Sequence, residues 1–166
     1  MRVVVWITER SWRDCVDHAR AVVRGDDTVA LLYVSAADVE GLATSAHHGL
    51  LGRPARHDPG PPIRVLAEAG ATDLLAAARA RLGRHAELIV RHGHVEREVI
   101  EACAGADLLL LARDGDRRPG PKSLGRFTRF VVDHAPCTVQ LVWTGEPPGL
   151  ESIHWPPHLR GDRAPR

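Results

Sequence analysis

The sequence predicts an α/β domain, with strands and helices alternating along the chain and folding into a parallel sheet covered by helices on both faces. Three observations carry that reading. Short apolar runs such as Val3-Val4-Val5 and Leu108 to Ala112 have the composition of strands buried on both sides. Between such runs lie segments whose apolar residues recur at helical spacing, as at Trp12, Cys15, Val16, Ala19, Val22 and Val23. The chain has 166 residues, which suits one domain with a substantial core.

The elements follow in order. Arg2 to Thr8 is the first strand, and Thr8 or Ser11 can cap the helix after it, which Gly25 is placed to end. Thr28 to Ser35 is the second strand. Residues 36–61 lack sustained periodicity and hold several Gly, Pro and His, so a long surface loop is expected. Ile63 to Leu82 is the second helix, with Leu66, Leu74, Leu75, Ala78 and Leu82 inward and Gly83 as its stop. Ala86 to Arg91 is the third strand, His92-Gly93-His94 a turn, and Val95, Val99, Ile100 and Cys103 mark the third helix. Asp107 to Ala112 is the fourth strand, Ser123 to His134 the fourth helix and Thr138 to Trp143 the fifth strand, with Pro136 forcing the turn between the last two. The domain is therefore expected over 1–143. Residues 144–166, rich in Pro, Arg and Gly, read as a loose tail.

Composition excludes several functions. A net charge of +1 gives no global field for nucleic acid or an anionic membrane, although the stretch from Arg113 to Arg126 is locally basic. No apolar run approaches the roughly 20 residues that span a bilayer. Charged residues soon after the first strand argue against a signal peptide, so a cytoplasmic location is expected. Cys15, Cys103 and Cys137 are far apart and lack CxxC spacing, which favours free thiols over a disulfide framework or a zinc site. Cys15 and Cys103 lie on apolar stripes and read as core. Cys137, at a strand start, reads as structural, with a redox role as the alternative.

The most informative stretch is Ala106 to Val142: ADLLLLARDG, then the loop Gly120-Pro121-Lys122-Ser123-Leu124-Gly125, then FVVDHAPCTVQLV. Strand, glycine loop and helix in that order make a common phosphate site. These residues, with the His-Ala-Pro-Cys turn before the last strand, resemble the universal stress protein family, and the likeness covers roughly residues 2 to 143. The resemblance implies a three-layer α/β/α doubly wound fold of the adenine-nucleotide alpha-hydrolase-like kind, its five parallel strands in the order 3-2-1-4-5. It also implies a homodimer paired through the edge strand Thr138 to Trp143. ATP-binding members carry Gly-x2-Gly-x9-Gly-(Ser/Thr), which falls here on Ala112, Gly115, Gly125 and Arg126. The family's adenine-holding Asp aligns with Thr8, and a valine of the second strand with Val34. The cofactor set implied for ATP or AMP is Thr8, Val34, Leu111, Ala112, Gly115, Lys122, Gly125, Arg126 and Phe127.

Three of these positions depart from the family pattern. Ala112 adds a methyl, tolerable at negative φ. Thr8 brings no carboxylate, a loss on the order of 1–3 kcal/mol of adenine binding. Arg126 has three readings: pairing with phosphate, filling the phosphate pocket, or bridging to Asp114 or Asp116 and closing the loop. Its cost at a positive helix end, about 0.3–1 kcal/mol, does not choose among them.

Other motifs have plainer readings. A P-loop would need glycine at Asp116, so Lys122-Ser123 is not one. Ser123 reads as a helix cap, and Lys122 as a solvated charge or a phosphate partner. His92 and His94 lack further ligands and read as surface histidines, and His47, His48 and His57 fall in the long loop; no metal is expected. Trp6 reads as packed under a helix. Trp12 reads as part of the apolar stripe of the first helix, with base stacking as the alternative. No nucleophile–base arrangement follows from spacing. The expected function is a stress-type regulatory module with an altered nucleotide cleft that binds rather than catalyses. A nucleotide sensor using Arg126, Lys122, Gly115 and Gly125 is the alternative, with slow phosphate-ester hydrolysis third.

Overall fold

The protein is described by a computed structural model covering residues 1–36 and 60–159, without the side chains of residues 36 and 60–67. The loop expected over 36–61 falls almost wholly outside these residues, as do the three histidines expected there and the side chain of Leu66.

The apolar runs are strands: β1 (Arg2–Ile7), β2 (Thr28–Ala36), β3 (Glu87–Gly93), β4 (Leu108–Ala112) and β5 (Thr138–Val142). They form one sheet in the order β3-β2-β1-β4-β5, every neighbouring pair parallel. The helices are α1 (Trp12–Val22), α2 (Gly60–Leu82), α3 (Val95–Ala102) and α4 (Arg126–His134).

Alternation along each strand splits the core into two layers. Val3, Val5, Ile7, Leu31, Leu108 and Leu110 face α1 and α2, where Cys15, Val16, Ala19, Leu75, Ala78 and Leu82 close over them. Val4, Trp6, Leu32, Leu109 and Leu111 face the layer of Val99, Cys103 and Val131, carried by α3 and α4. Trp6 thus packs under helices, as expected. Register follows from the same demand: Val4 sits between Ala30 and Leu109, each pointing its side chain into the same layer.

Three element ends differ from the sequence reading for reasons visible in the structure. α1 stops at Val23, whose backbone is extended, because the Asp27 carboxylate accepts the Arg24 N–H at 2.7 Å and turns the chain before Gly25 is reached. Gly83, at φ +72°, does end α2. β3 runs on through His92 and Gly93, since Ser35 and Ala36 of β2 keep pairing with them. The fourth helix begins at Arg126 rather than Ser123, which lies in a short 3₁₀ turn, Pro121–Ser123.

After β5 the chain passes over the carboxyl edge of the sheet. The Gly145 N–H donates to Asp14 Oδ1 on α1 at 3.0 Å, and Arg117 donates to the Glu146 carbonyl at 3.2 Å. Two further 3₁₀ turns follow, at Leu150–Ser152 and Pro157–Leu159.

Leu110, on β4, is fully buried. Leu110→Ala should cost about 2–5 kcal/mol, read as a lower urea midpoint at unchanged slope. A loss under about 1 kcal/mol would contradict its place in the closed core.

Candidate functional site

β1 lies where the strand order reverses, with β2 on one side and β4 on the other. In doubly wound sheets the crevice outside the carboxyl ends of such strands is the usual ligand site. The loop from Arg113 to Gly125 leaves β4 at that edge and feeds the N-terminus of α4.

The candidate residues divide by what already engages them. Thr8 follows β1 directly. Its carbonyl accepts the N–H groups of Ser11 (3.2 Å) and Trp12 (3.1 Å), and its hydroxyl lies 2.6 Å from Ser11 Oγ. The carbonyl and hydroxyl of Thr8 therefore serve the start of α1. Ser11 holds the N-cap position without a side-chain hydrogen bond to the helix. Val34 is half-buried against the α3 layer. Leu111 and Ala112 are buried inside β4, with Ala112 paired to Val142. No described non-glycine residue has positive φ, so the methyl of Ala112 sits without strain.

The loop is a small ladder of its own. Gly115 N–H donates to the Ser123 carbonyl at 3.1 Å, and Asp116 N–H to the Lys122 carbonyl at 2.7 Å. This explains the glycine: a Cβ at 115 would collide with the Lys122 carbonyl oxygen. Ser123 is fully buried, donating from Oγ to the Gly120 carbonyl at 2.7 Å and accepting from the Arg113 guanidinium. It braces the loop instead of capping α4. Arg113 also lies 4.7 Å over the Trp143 ring, and Arg129 donates to the carbonyls of Pro121 and Leu124.

At the N-terminus of α4, Gly125 N–H donates to Asp114 Oδ1 at 2.6 Å. A Cβ on Gly125 would lie 2.6 Å from Asp114 Oδ2, so the missing side chain is what admits the carboxylate. An anion at a helix N-terminus is favoured by the peptide dipoles, by about 0.3–1 kcal/mol. Here the anion is the protein's own. The loop is closed by Asp114 on backbone, not by Arg126. The exposed Arg126 guanidinium stacks 4.2 Å over the half-buried Phe127 ring, and Lys122 is exposed.

Beside this edge, Tyr33 Oη donates to Glu9 Oε1 at 2.5 Å. Burial, then the Glu9 carboxylate, push the phenol up to about 12. A cavity of about 520 Å³ lies at the opposite, amino edge of the sheet, lined in part by Arg2, Asp27, Arg84 and Glu87. Its arginines are engaged with backbone carbonyls, Arg84 with those of Arg24, Gly25 and Asp27, and Arg2 with that of Ala104. Among the described residues no group of three or more His, Cys, Asp or Glu is placed to hold a metal. No described helix is long and apolar enough to cross a membrane.

Sequence reasoning brought Gly115, Lys122, Gly125, Arg126 and Phe127 to one loop and helix end, with Ala112 at its root. It missed the bracing roles of Arg113, Ser123 and Arg129. It weighed Asp114 only as a partner of Arg126.

The parallel sheet, its strand order and the helices on both faces define a doubly wound α/β domain. More closely, the fold is that of the universal stress proteins. A universal stress protein solved in complex with cAMP matches with a TM-score of 0.58 and 16% identity, over 87% of this chain and 97% of that one. The universal stress protein UspA from Lactobacillus plantarum matches with a TM-score of 0.56 and 20% identity, over 86% and 97%. A hypothetical protein whose biochemical function was assigned from its structure matches with a TM-score of 0.65 and 14% identity, over 87% and 96%. No family model matches the sequence, and no curated protein does.

Tyr33 is the chain's single tyrosine, so phenolate absorbance reports it alone. Its pKa is raised above the ordinary value of 10.0, so the protonated Tyr33–Glu9 pair contributes stability below pH 10 that is lost as pH rises through about 12. The phenolate signal should stay low as pH passes 10. Glu9→Gln should lower the midpoint without returning it to 10, burial being the larger cause. A wild-type midpoint at 10 would refute the contact.

Proposed function

We propose that the chain is a divergent universal-stress-type regulatory module that works by binding, with a nucleotide cleft altered at its phosphate end. The observation that carries this reading is the Asp114 carboxylate on the Gly125 N–H. A phosphate of ATP or AMP seeking that N–H would meet a carboxylate in its place, and like charges at contact repel. The Gly115 N–H is committed to Ser123 in the same way. In this loop conformation the residues do not fit a phosphate.

In this reading the module is a cytoplasmic homodimer. β5 pairs with β4 alone among the described strands. Its outer edge therefore offers unpaired backbone groups of the kind that recruit a second strand.

A second reading, an adenine-nucleotide sensor, is favoured by the likeness to a universal stress protein solved with cAMP. There Asp114 would leave Gly125, and Arg126 and Lys122, both exposed beside the loop, would take the phosphates.

Titration calorimetry with ATP and with AMP separates the two. On the first reading wild-type protein gives no saturable heat, and Asp114→Ala gives a saturable one. Stoichiometric nucleotide recovered with the purified protein would overturn it. On the second, wild type binds and Arg126→Ala loses at least tenfold; unchanged binding in that variant would remove Arg126 from the site. Light scattering at high micromolar concentration should give twice the chain mass, and a monomer would defeat the pairing through β5.

A further inference from the structure

Cys103 and Cys137 are distant in sequence, yet the topology brings them to one corner of the sheet. Cys103 closes α3, its N–H reaching the Val99 and Ile100 carbonyls at 3.2 and 3.0 Å. Its own carbonyl accepts the Ala106 N–H at 2.9 Å, which turns the chain into β4. Cys137 immediately precedes β5, whose first residue, Thr138, donates to the Asp107 carbonyl at 3.2 Å beside the start of β4. The end of α3 and the start of β5 are thus both pinned to the entry of β4.

Both side chains enter the same core layer, Cys103 fully buried and Cys137 partly exposed, with the Cys137 thiol close enough to act on the ionisation of Cys103. Arg2, donating to the Ala104 carbonyl at 2.6 Å, holds a guanidinium beside the pair. Burial, then the neighbouring Cys137, push the Cys103 thiol up to about 12. Cys103 is therefore the poor nucleophile of the pair, and the accessible Cys137 is the sulfur an oxidant meets first. The third cysteine, Cys15, is buried on the inner face of α1 in the opposite layer.

We propose that Cys103 and Cys137 form a redox-sensitive dithiol that closes to an intramolecular disulfide in the presence of a hydroperoxide. The Cys137 thiolate attacks a peroxide oxygen and the O–O bond breaks. Cys137 becomes a sulfenic acid, and the departing oxyanion takes up the proton released by the Cys137 thiol. The Cys103 sulfur then attacks the Cys137 sulfur. The S–S bond forms, the S–O bond breaks, and hydroxide leaves with the Cys103 proton as water. Two thiols are oxidised by two electrons and one peroxide is reduced. The product ties the end of α3 to the start of β5, on the amino side of the sheet and away from the glycine loop. The proposal stands independently of the nucleotide readings.

The test uses the full-length protein, reduced, freed of reductant and treated with hydrogen peroxide. Intact mass and non-reducing peptide mapping are the readouts. The expected product is a monomeric chain lighter by two hydrogens, with a peptide pair linked through Cys103 and Cys137, reversed by dithiothreitol and retained in Cys15→Ser. In Cys103→Ser, Cys137 should instead be trapped as a sulfenic-acid adduct by dimedone or pass to sulfinic acid. Wild-type protein with no mass change, a linkage between two chains, a linkage through Cys15, or Cys137 sulfinic acid without the linked peptide would each overturn the proposal. The wild-type measurement decides the matter even where a variant folds poorly.

Discussion

The burial of β1 and β4 on both faces is the constraint on which the rest depends. Val3 to Ile7 and Leu109 to Leu111 have no exposed surface beyond a sliver of Trp6. Each strand must then be covered twice, and alternation decides which residues meet which helices. A slip of β4 by one residue against β1 would turn Leu109 out of its layer and into that of Val3 and Val5. With the register fixed, the carboxyl ends of both strands open onto one edge, and whatever follows them is brought together. Thr8 and the Arg113–Gly125 loop meet the same crevice for that reason.

The loop at this edge uses its own backbone donors internally, at Gly115 and at Gly125. An N–H at a helix N-terminus needs an acceptor, because the first turn has no intrahelical partner for it. A bound anion can supply that acceptor, or a carboxylate of the chain can. Asp114 is tethered a short loop away, so it meets Gly125 without the loss of translational freedom that a separate ligand incurs on binding. Arg113 and Arg129 hold the loop in the shape that brings Asp114 there, by binding Ser123 and the carbonyls of Pro121 and Leu124. Part of the local positive charge is thus spent on backbone and hydroxyl oxygens.

The fold was legible because its signals are local. The apolar runs, the helical stripes and Gly83 each act within a few residues of themselves. The ends that were misread are governed at a distance. Ser123 looks like a cap beside a helix start, but Arg113, ten residues earlier, draws it inward and delays α4 to Arg126. Gly25 looks like a helix stop, but the Asp27 side chain ends α1 first. His92 and Gly93 look like a turn, but pairing with β2 keeps them in the sheet. At the candidate site, the family resemblance pointed to both loop glycines and could not show their partners. Asp114 meets Gly125 across eleven positions, and nothing in the local pattern marks that contact.

The bonds from Gly115 to Ser123 and from Asp116 to Lys122 close the base of the loop below its tip. Residues 117–121 therefore form an outgrowth whose size and composition can drift while the base stays as it is. Two molecules can keep the same number of residues between these glycines and differ wholly in what the base admits, or differ in number and admit the same thing. The interval from Gly115 to Gly125 is a measure of the outgrowth; what meets the Gly125 N–H in this structure is the side chain at position 114.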